Sequence, residues 1–184
     1  MFTPSEVKII LAPWEVAQVE RSARAVEMGG ASNIHADDAE RMAKLVADQY
    51  AGQAGEAALS KYLTGSIDLW RDTRKRKMLH PNRGDDGVDL LGYCVDVKCS
   101  VARFGPRYNY HLWVRDGEFH PRWVYVLALI LPGGNWSDVY LVGWKRAESL
   151  HPDEQGRFGG LMRGLWHLPV QPDPERIARL GWRS

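Results

Sequence analysis

The run Trp123–Leu131 (WVYVLALIL) is apolar at all nine positions, and it is the tightest constraint on how this chain can fold. A membrane-spanning helix needs about 20 such residues, so this run is too short to cross a bilayer. A surface strand would alternate apolar and polar residues. A short run apolar on both faces is what a central strand, covered from both sides, requires. Val88–Leu91, Tyr93–Ser100, Tyr108–Val114 and Val139–Trp144 are further runs rich in Val, Ile, Tyr and Trp. They are separated by Gly92, Gly105-Pro106, Asp116-Gly117 and Pro132-Gly133-Gly134, so the spacing predicts strands joined by turns.

Before residue 65 the pattern is helical. Thr3-Pro4-Ser5-Glu6 reads as a capping box with proline at the first helical position, predicting a helix from Pro4. This helix pauses near Pro13 and resumes over Trp14–Met28, with Val16, Val19, Ala23 and Val26 on one face, until Gly29-Gly30 ends it. Asp37-Asp38 opens a second helix, Ala39–Leu63, closed by Thr64-Gly65. Gly52 and Gly55 cost that helix about 1 kcal/mol each relative to alanine. They mark either a break or a face that approaches a sheet closely. Lys145–Leu150 predicts a short helix after the last strand, and the proline-rich tail is irregular apart from a helical turn at Glu175–Leu180.

The 184 residues therefore read as one α/β domain with a mixed central β-sheet flanked by helices. Residues 1–36 form an N-terminal helical extension, 37–150 the core, and 151–184 a mostly irregular C-terminal tail. The 24 Lys+Arg against 23 Asp+Glu leave a net charge of +1, which excludes a histone-like chain but leaves room for a basic patch offset by an acidic site. Cys94 and Cys99 on one strand would stand roughly 16 Å apart, beyond disulfide reach, and no zinc-ligand spacing surrounds them. The N-terminus has no leader pattern. A soluble, cytoplasmic protein without a membrane partner is expected.

The chemistry concentrates in Gly84–Ser100 (GDDGVDLLGYCVDVKCS). With period-two alternation, Asp96 and Lys98 share one strand face while Tyr93, Val95 and Val97 take the other. Asp89 precedes them across the turn at Gly92. Upstream, Gly52, Gly55, Glu56, Leu59 and Leu63 share a helix face, where small neighbours would let Glu56 reach a sheet. Two carboxylates and the Val97 backbone carbonyl suit Mg²⁺, which takes few protein oxygens and leaves positions for water and phosphate. An Asp-x6-acid-x-Lys pattern is expected by chance roughly 0.06 times at one spacing and roughly 0.6 times over about ten, so its context carries the argument.

That context resembles the PD-(D/E)xK nuclease superfamily, with its restriction-endonuclease-like core, over Asp38–Leu150. Gly52-Gln53-Ala54-Gly55-Glu56 is similar to the first-helix glutamate, Val88-Asp89 to the Pro-Asp element and Asp96-Val97-Lys98 to (Asp/Glu)-x-Lys. Val88 stands in place of the proline, and Asp85 and Asp86 compete with Asp89 for the first aspartate. The resemblance implies that Asp89, Asp96 and the Val97 carbonyl bind Mg²⁺, with Mn²⁺ substituting. Lys98 would position the attacking water, and Glu56 would bind a second metal or its water shell.

Arg71, Arg74, Lys75, Arg76 and Lys77 put five basic residues within seven, just before the acidic segment. Read as a loop, this is a clamp for a DNA backbone, continued by Arg103 and Arg107 among the aromatic residues Phe104, Tyr108, Tyr110 and Trp113. The expected function is Mg²⁺-dependent hydrolysis of DNA; a homodimer would allow two strands to be cut at once, but no residue decides it. The rival readings are a catalytically inactive nucleic-acid-binding or assembly protein on the same fold, and an interaction module using the Trp-rich tail. Each charged group also has an ordinary reading as a solvated surface.

Overall fold

In a computed structural model of the chain, the structure describes residues 7–30, 39–79, 89–101, 112–115, 118–130, 136–152 and 166–167. The apolar run forms β3 (Val124–Ile130), buried at every position. It lies inside a mixed four-stranded sheet with β1 (Val7–Ile10), β2 (Val95–Val101) and β4 (Asp138–Arg146), in the order β1-β4-β3-β2. β2 runs parallel to β3, with Val95 opposite Val124, while β4 is antiparallel to both β1 and β3. β5 (His151–Pro152) and β6 (Trp166–His167) pair separately. The fold is α/β.

The two faces of β3 explain its composition. Val124, Val126, Ala128 and Ile130 pack into one core cluster with Val95, Val97 and the alanines of the second helix. Tyr125, Leu127 and Leu129 pack into another with Leu112, Val114, Val142 and Leu150. Burying both faces removes apolar surface from water twice over, at roughly 25 cal/mol per Å².

Three helices accompany the sheet among the described residues: α1 (Pro13–Gly30), α2 (Ala39–Thr64) and α3 (Asp68–Leu79). α1 starts on Pro13, where a missing N–H is harmless. The Ala12 N–H donates to Glu15 Oε2 at 2.6 Å, and Lys61 of α2 reaches the same oxygen at 2.6 Å. α2 continues unbroken through both its glycines. Ala51, Ala54, Ala57 and Ala58 are buried along it. A methyl group on Gly55 would meet Cys99 Cβ at 2.6 Å and Val97 Cγ1 at 3.2 Å. Gly55 thus marks the close approach of α2 to β2, not a break.

Several expectations are corrected. Where a helix from Pro4 was expected, Val7–Ile10 is strand β1 paired with β4; β-branched residues and alternating exposure favour the sheet edge. The capping-box residues lie outside the described residues. Asp89–Gly92 is bend and turn instead of the end of a strand. Lys145 and Arg146 extend β4, leaving only a single 3-10 turn at Ala147–Ser149. The basic run is helix α3, because Arg, Lys, Leu and Met favour helix and Trp70 and Thr73 anchor it in the core. Both cysteines are free. Residues 102–111, most of the expected Tyr108–Val114 strand, and nearly all of the tail lie outside the described residues. No described helix is long and apolar enough to cross a membrane.

Candidate functional site

β2 ends the sheet, so alternate backbone groups face outward. On that outer edge the Asp89 N–H donates to the Val95 carbonyl at 3.2 Å, and the Val97 N–H donates to Asp89 Oδ2 at 2.6 Å. Asp89 therefore stands where a neighbouring strand would pair. Because N–H and C=O of one strand residue point the same way, the Val97 carbonyl opens on this edge too. Gly92, at φ +82°, makes the tight return from Asp89 to β2 possible. The turn is tied to α3 by the Leu91 N–H, which donates to Thr73 Oγ1 at 2.8 Å.

Side chains of β2 divide as alternation predicts. Val95, Val97 and Cys99 pack toward α2. Asp96 and Lys98 take the opposite face, with Lys98 Nζ 2.9 Å from Asp96 Oδ2. Lys98 Nζ also donates to Glu118 Oε2 at 2.6 Å. Across the β2 edge, Glu56 follows Gly55 on α2 and is only 6% exposed. Arg74 of α3 donates to both Glu56 carboxylate oxygens. Lys77, one helical turn on, places Nζ 3.6 Å from Asp89 Oδ1.

These charges form one electrostatic unit. Burial and the nearby Asp89 charge push the Glu56 carboxyl up to about 8, against Arg74 and Lys77. Burial, then Asp89 again, pushes Asp96 up to about 7, against Lys98. Burial also raises Asp89, opposed by Lys77, the Val97 N–H, Arg74 and Lys98. For Lys98, burial pulls the ammonium pKa down, but Asp96 and Glu118 outweigh it and the net direction is upward. Asp89 is the common member, felt from both faces of the sheet.

Glu56, Asp89, Asp96 and Lys98 are thus gathered around the edge of β2. The basic run is not a single clamp. Arg74 and Lys77 turn inward to Glu56 and Asp89. Arg71 pairs with Asp68 at 3.1 Å, Lys75 with Asp72 at 3.6 Å, and Arg76 is exposed. Arg103, Arg107, Val88, Asp85 and Asp86 lie outside the described residues. Glu118 was not singled out from the sequence, since twenty positions separate it from Lys98 and no spacing rule links them. Gln53 is buried one turn before Glu56, and neither of its amide atoms has a partner among the described residues.

As a donor set, the carboxylates of Asp89, Asp96 and Glu56 with the Val97 carbonyl offer the hard oxygens a divalent cation such as Mg²⁺ prefers. Among the described residues, however, no three metal-ligating side chains stand together as a ready-formed cage. A cavity of about 230 Å³, lined by Arg122, Trp123 and Arg146 among others, and one of about 160 Å³, beside Tyr50 and Trp136, share no lining residue with this cluster. No protein-family model, curated protein or solved structure matches the chain.

Proposed function

We propose that the protein is a Mg²⁺-dependent deoxyribonuclease built on a restriction-endonuclease-like core. The observation that carries this reading is the position of Asp89 on the β2 edge, electrostatically joined to Glu56 on one side and to Asp96 and Lys98 on the other. Asp89, Asp96 and the Val97 carbonyl would hold the cation, with Glu56 serving a second ion or its water shell. Bound Mg²⁺, or Mn²⁺ in its place, would acidify water and offset charge on the phosphate. Lys98, hydrogen-bonded to Asp96 and Glu118, would orient the attacking water. Asp96 and Glu118 keep its ammonium protonated and fixed in place. Hydrolysis forms a bond from the water oxygen to phosphorus and breaks the phosphorus–oxygen bond to the leaving strand, whose oxygen takes up a proton. Exposed basic residues of α3 would contact the DNA backbone.

The test is cleavage of plasmid and single-stranded DNA in Mg²⁺, Mn²⁺ or EDTA. Asp96→Ala and Lys98→Ala should each abolish metal-dependent cleavage, a loss of at least about 10²-fold given the size of single catalytic contributions, with the fold intact by circular dichroism. Undiminished cleavage by Asp96→Ala overturns the assignment. One observation favours a second reading: Glu56, Asp89 and Asp96 each already have a basic partner. A non-catalytic nucleic-acid-binding or assembly protein would use them as a structural ion-pair cluster. It would bind DNA in a salt-sensitive way without metal-dependent turnover.

A further inference from the structure

We propose that the cavity at the entry to β3 is a seat for one phosphodiester of a nucleic-acid strand, held between the guanidinium groups of Arg122 and Arg146. It encloses about 230 Å³, lined by Arg122, Trp123, Val124, Arg146 and Glu148 among others. None of these residues belongs to the cluster on the β2 edge and no metal ion is required, so the seat does not depend on the nuclease reading.

The backbone fixes the two arginine stems relative to one another. Arg146 stands directly opposite Val124 in the β3–β4 ladder. Arg122 precedes Val124 by two residues, in a turn closed by the Trp123 N–H, which donates to the His120 carbonyl at 3.1 Å. The Ala147 N–H donates to the Trp123 carbonyl at 2.9 Å, which ties the β4 side of the cavity to the same turn. Trp123 and Val124 are buried, and the indole stacks on the His120 ring with 4.0 Å between centroids. A firm apolar floor therefore carries two cationic arms.

Charge and size select the ligand. Glu148 engages Arg146 at 2.8 Å, but these side chains are 63% and 48% exposed, and an ion pair so open to water contributes little and exchanges readily. Two guanidinium groups against one carboxylate leave a single positive charge, the complement of the one negative charge on a phosphodiester. Each guanidinium can bind two phosphate oxygens at once through its planar fork. The cavity is smaller than the roughly 300 Å³ at which small-molecule pockets begin. It takes a phosphate group but not a whole nucleotide, so whatever carries the phosphate must run outside, as a polymer backbone does. Such a contact positions a strand without reading its bases.

The test is fluorescence anisotropy of a labelled single-stranded oligonucleotide with the full chain in EDTA, over a series of chloride concentrations. Arg122→Gln/Arg146→Gln should weaken binding about tenfold, the size of one lost charge-assisted contact. It should also lower the slope of log affinity against log salt by about 0.7. Should the double variant not fold, Arg122→Gln alone, at an exposed position, carries the test with a loss of about threefold. Glu148→Gln removes the competing carboxylate and should tighten binding about threefold. Arg21→Gln/Arg24→Gln removes the same charge from exposed positions on α1 and should leave affinity and slope unchanged. No binding by the wild type, wild-type binding by the Arg122 and Arg146 variants, or an equal loss in the α1 variant overturns the inference. Inorganic phosphate that displaces the oligonucleotide more than chloride of equal ionic strength would make free phosphate the ligand and overturn the strand assignment. The two claims separate cleanly. Binding as expected without metal-dependent cleavage refutes the nuclease reading alone, and cleavage with wild-type binding by the arginine variants refutes the seat alone.

Discussion

Gly55 fixes how near Glu56 comes to β2, because no larger residue fits between α2 and the Val97 and Cys99 side chains. Gly52, three residues earlier on the same helix, has nothing within 4 Å of where a methyl group would sit. The two glycines should therefore respond oppositely to alanine. Gly52→Ala should stabilise the protein by up to about 1 kcal/mol through helix propensity. Gly55→Ala should destabilise it by about 1–3 kcal/mol through overpacking, shift Glu56 away from Asp89 and, on the nuclease reading, reduce metal-dependent cleavage. Urea midpoints of both variants check the signs, and equal midpoints would mean that α2 can slide on the sheet. The sequence alone left Gly55 open between a break and a close approach, since the same residue serves either role. Period two was enough to put Asp96 and Lys98 on one face. It could not reveal that Asp89 meets them by occupying a strand edge, because that depends on the turn at Gly92.

At the scale of elements, α2, β3 and β4 were legible because their signals are long and agree with one another: a capped Ala-rich stretch, a doubly apolar run and a hairpin partner. β1 is hidden in the sequence because the capping-box pattern at Thr3–Glu6 competes with the β-branched Val7–Ile10 that follows it. α3 is hidden in the sequence because its charge density resembles that of a solvated loop, although two inward anchors, Trp70 and Thr73, set its helical phase. That phase separates its basic residues by role. On the nuclease reading, Lys75→Gln/Arg76→Gln should weaken DNA binding and lower the salt dependence by about one counterion per lost phosphate contact. The melting temperature should stay unchanged, since both side chains are exposed. Fluorescence anisotropy against salt concentration decides it. An unaltered slope would remove the outer face of α3 from the DNA interface.

For the whole molecule, the cluster links site chemistry to global stability. Glu56 rises from 4.5 to about 8 and Asp96 from 3.8 to about 7. Across that interval the folded chain holds protons that the unfolded chain has released, so folding is favoured at the acid end and loses that contribution as pH rises. Without divalent ions the unfolding midpoint should be higher near pH 5 than near pH 8.5, and Glu56→Gln should flatten the difference. On the nuclease reading, Mg²⁺ should restore the midpoint at the alkaline end, as any ligand specific to the folded state does. Midpoints that climb with pH would show that these carboxyls are stabilised as anions.

Asp89 has one more consequence, which bears on any alanine variant made at that position. By taking the Val97 N–H and covering the Val95 carbonyl, it closes a Val-rich border of the sheet to other chains. Asp89→Ala leaves the backbone N–H of residue 89 on the Val95 carbonyl but frees the Val97 N–H, opening part of that border to intermolecular pairing. A preparation of this variant is thus expected to self-associate, which light scattering would register.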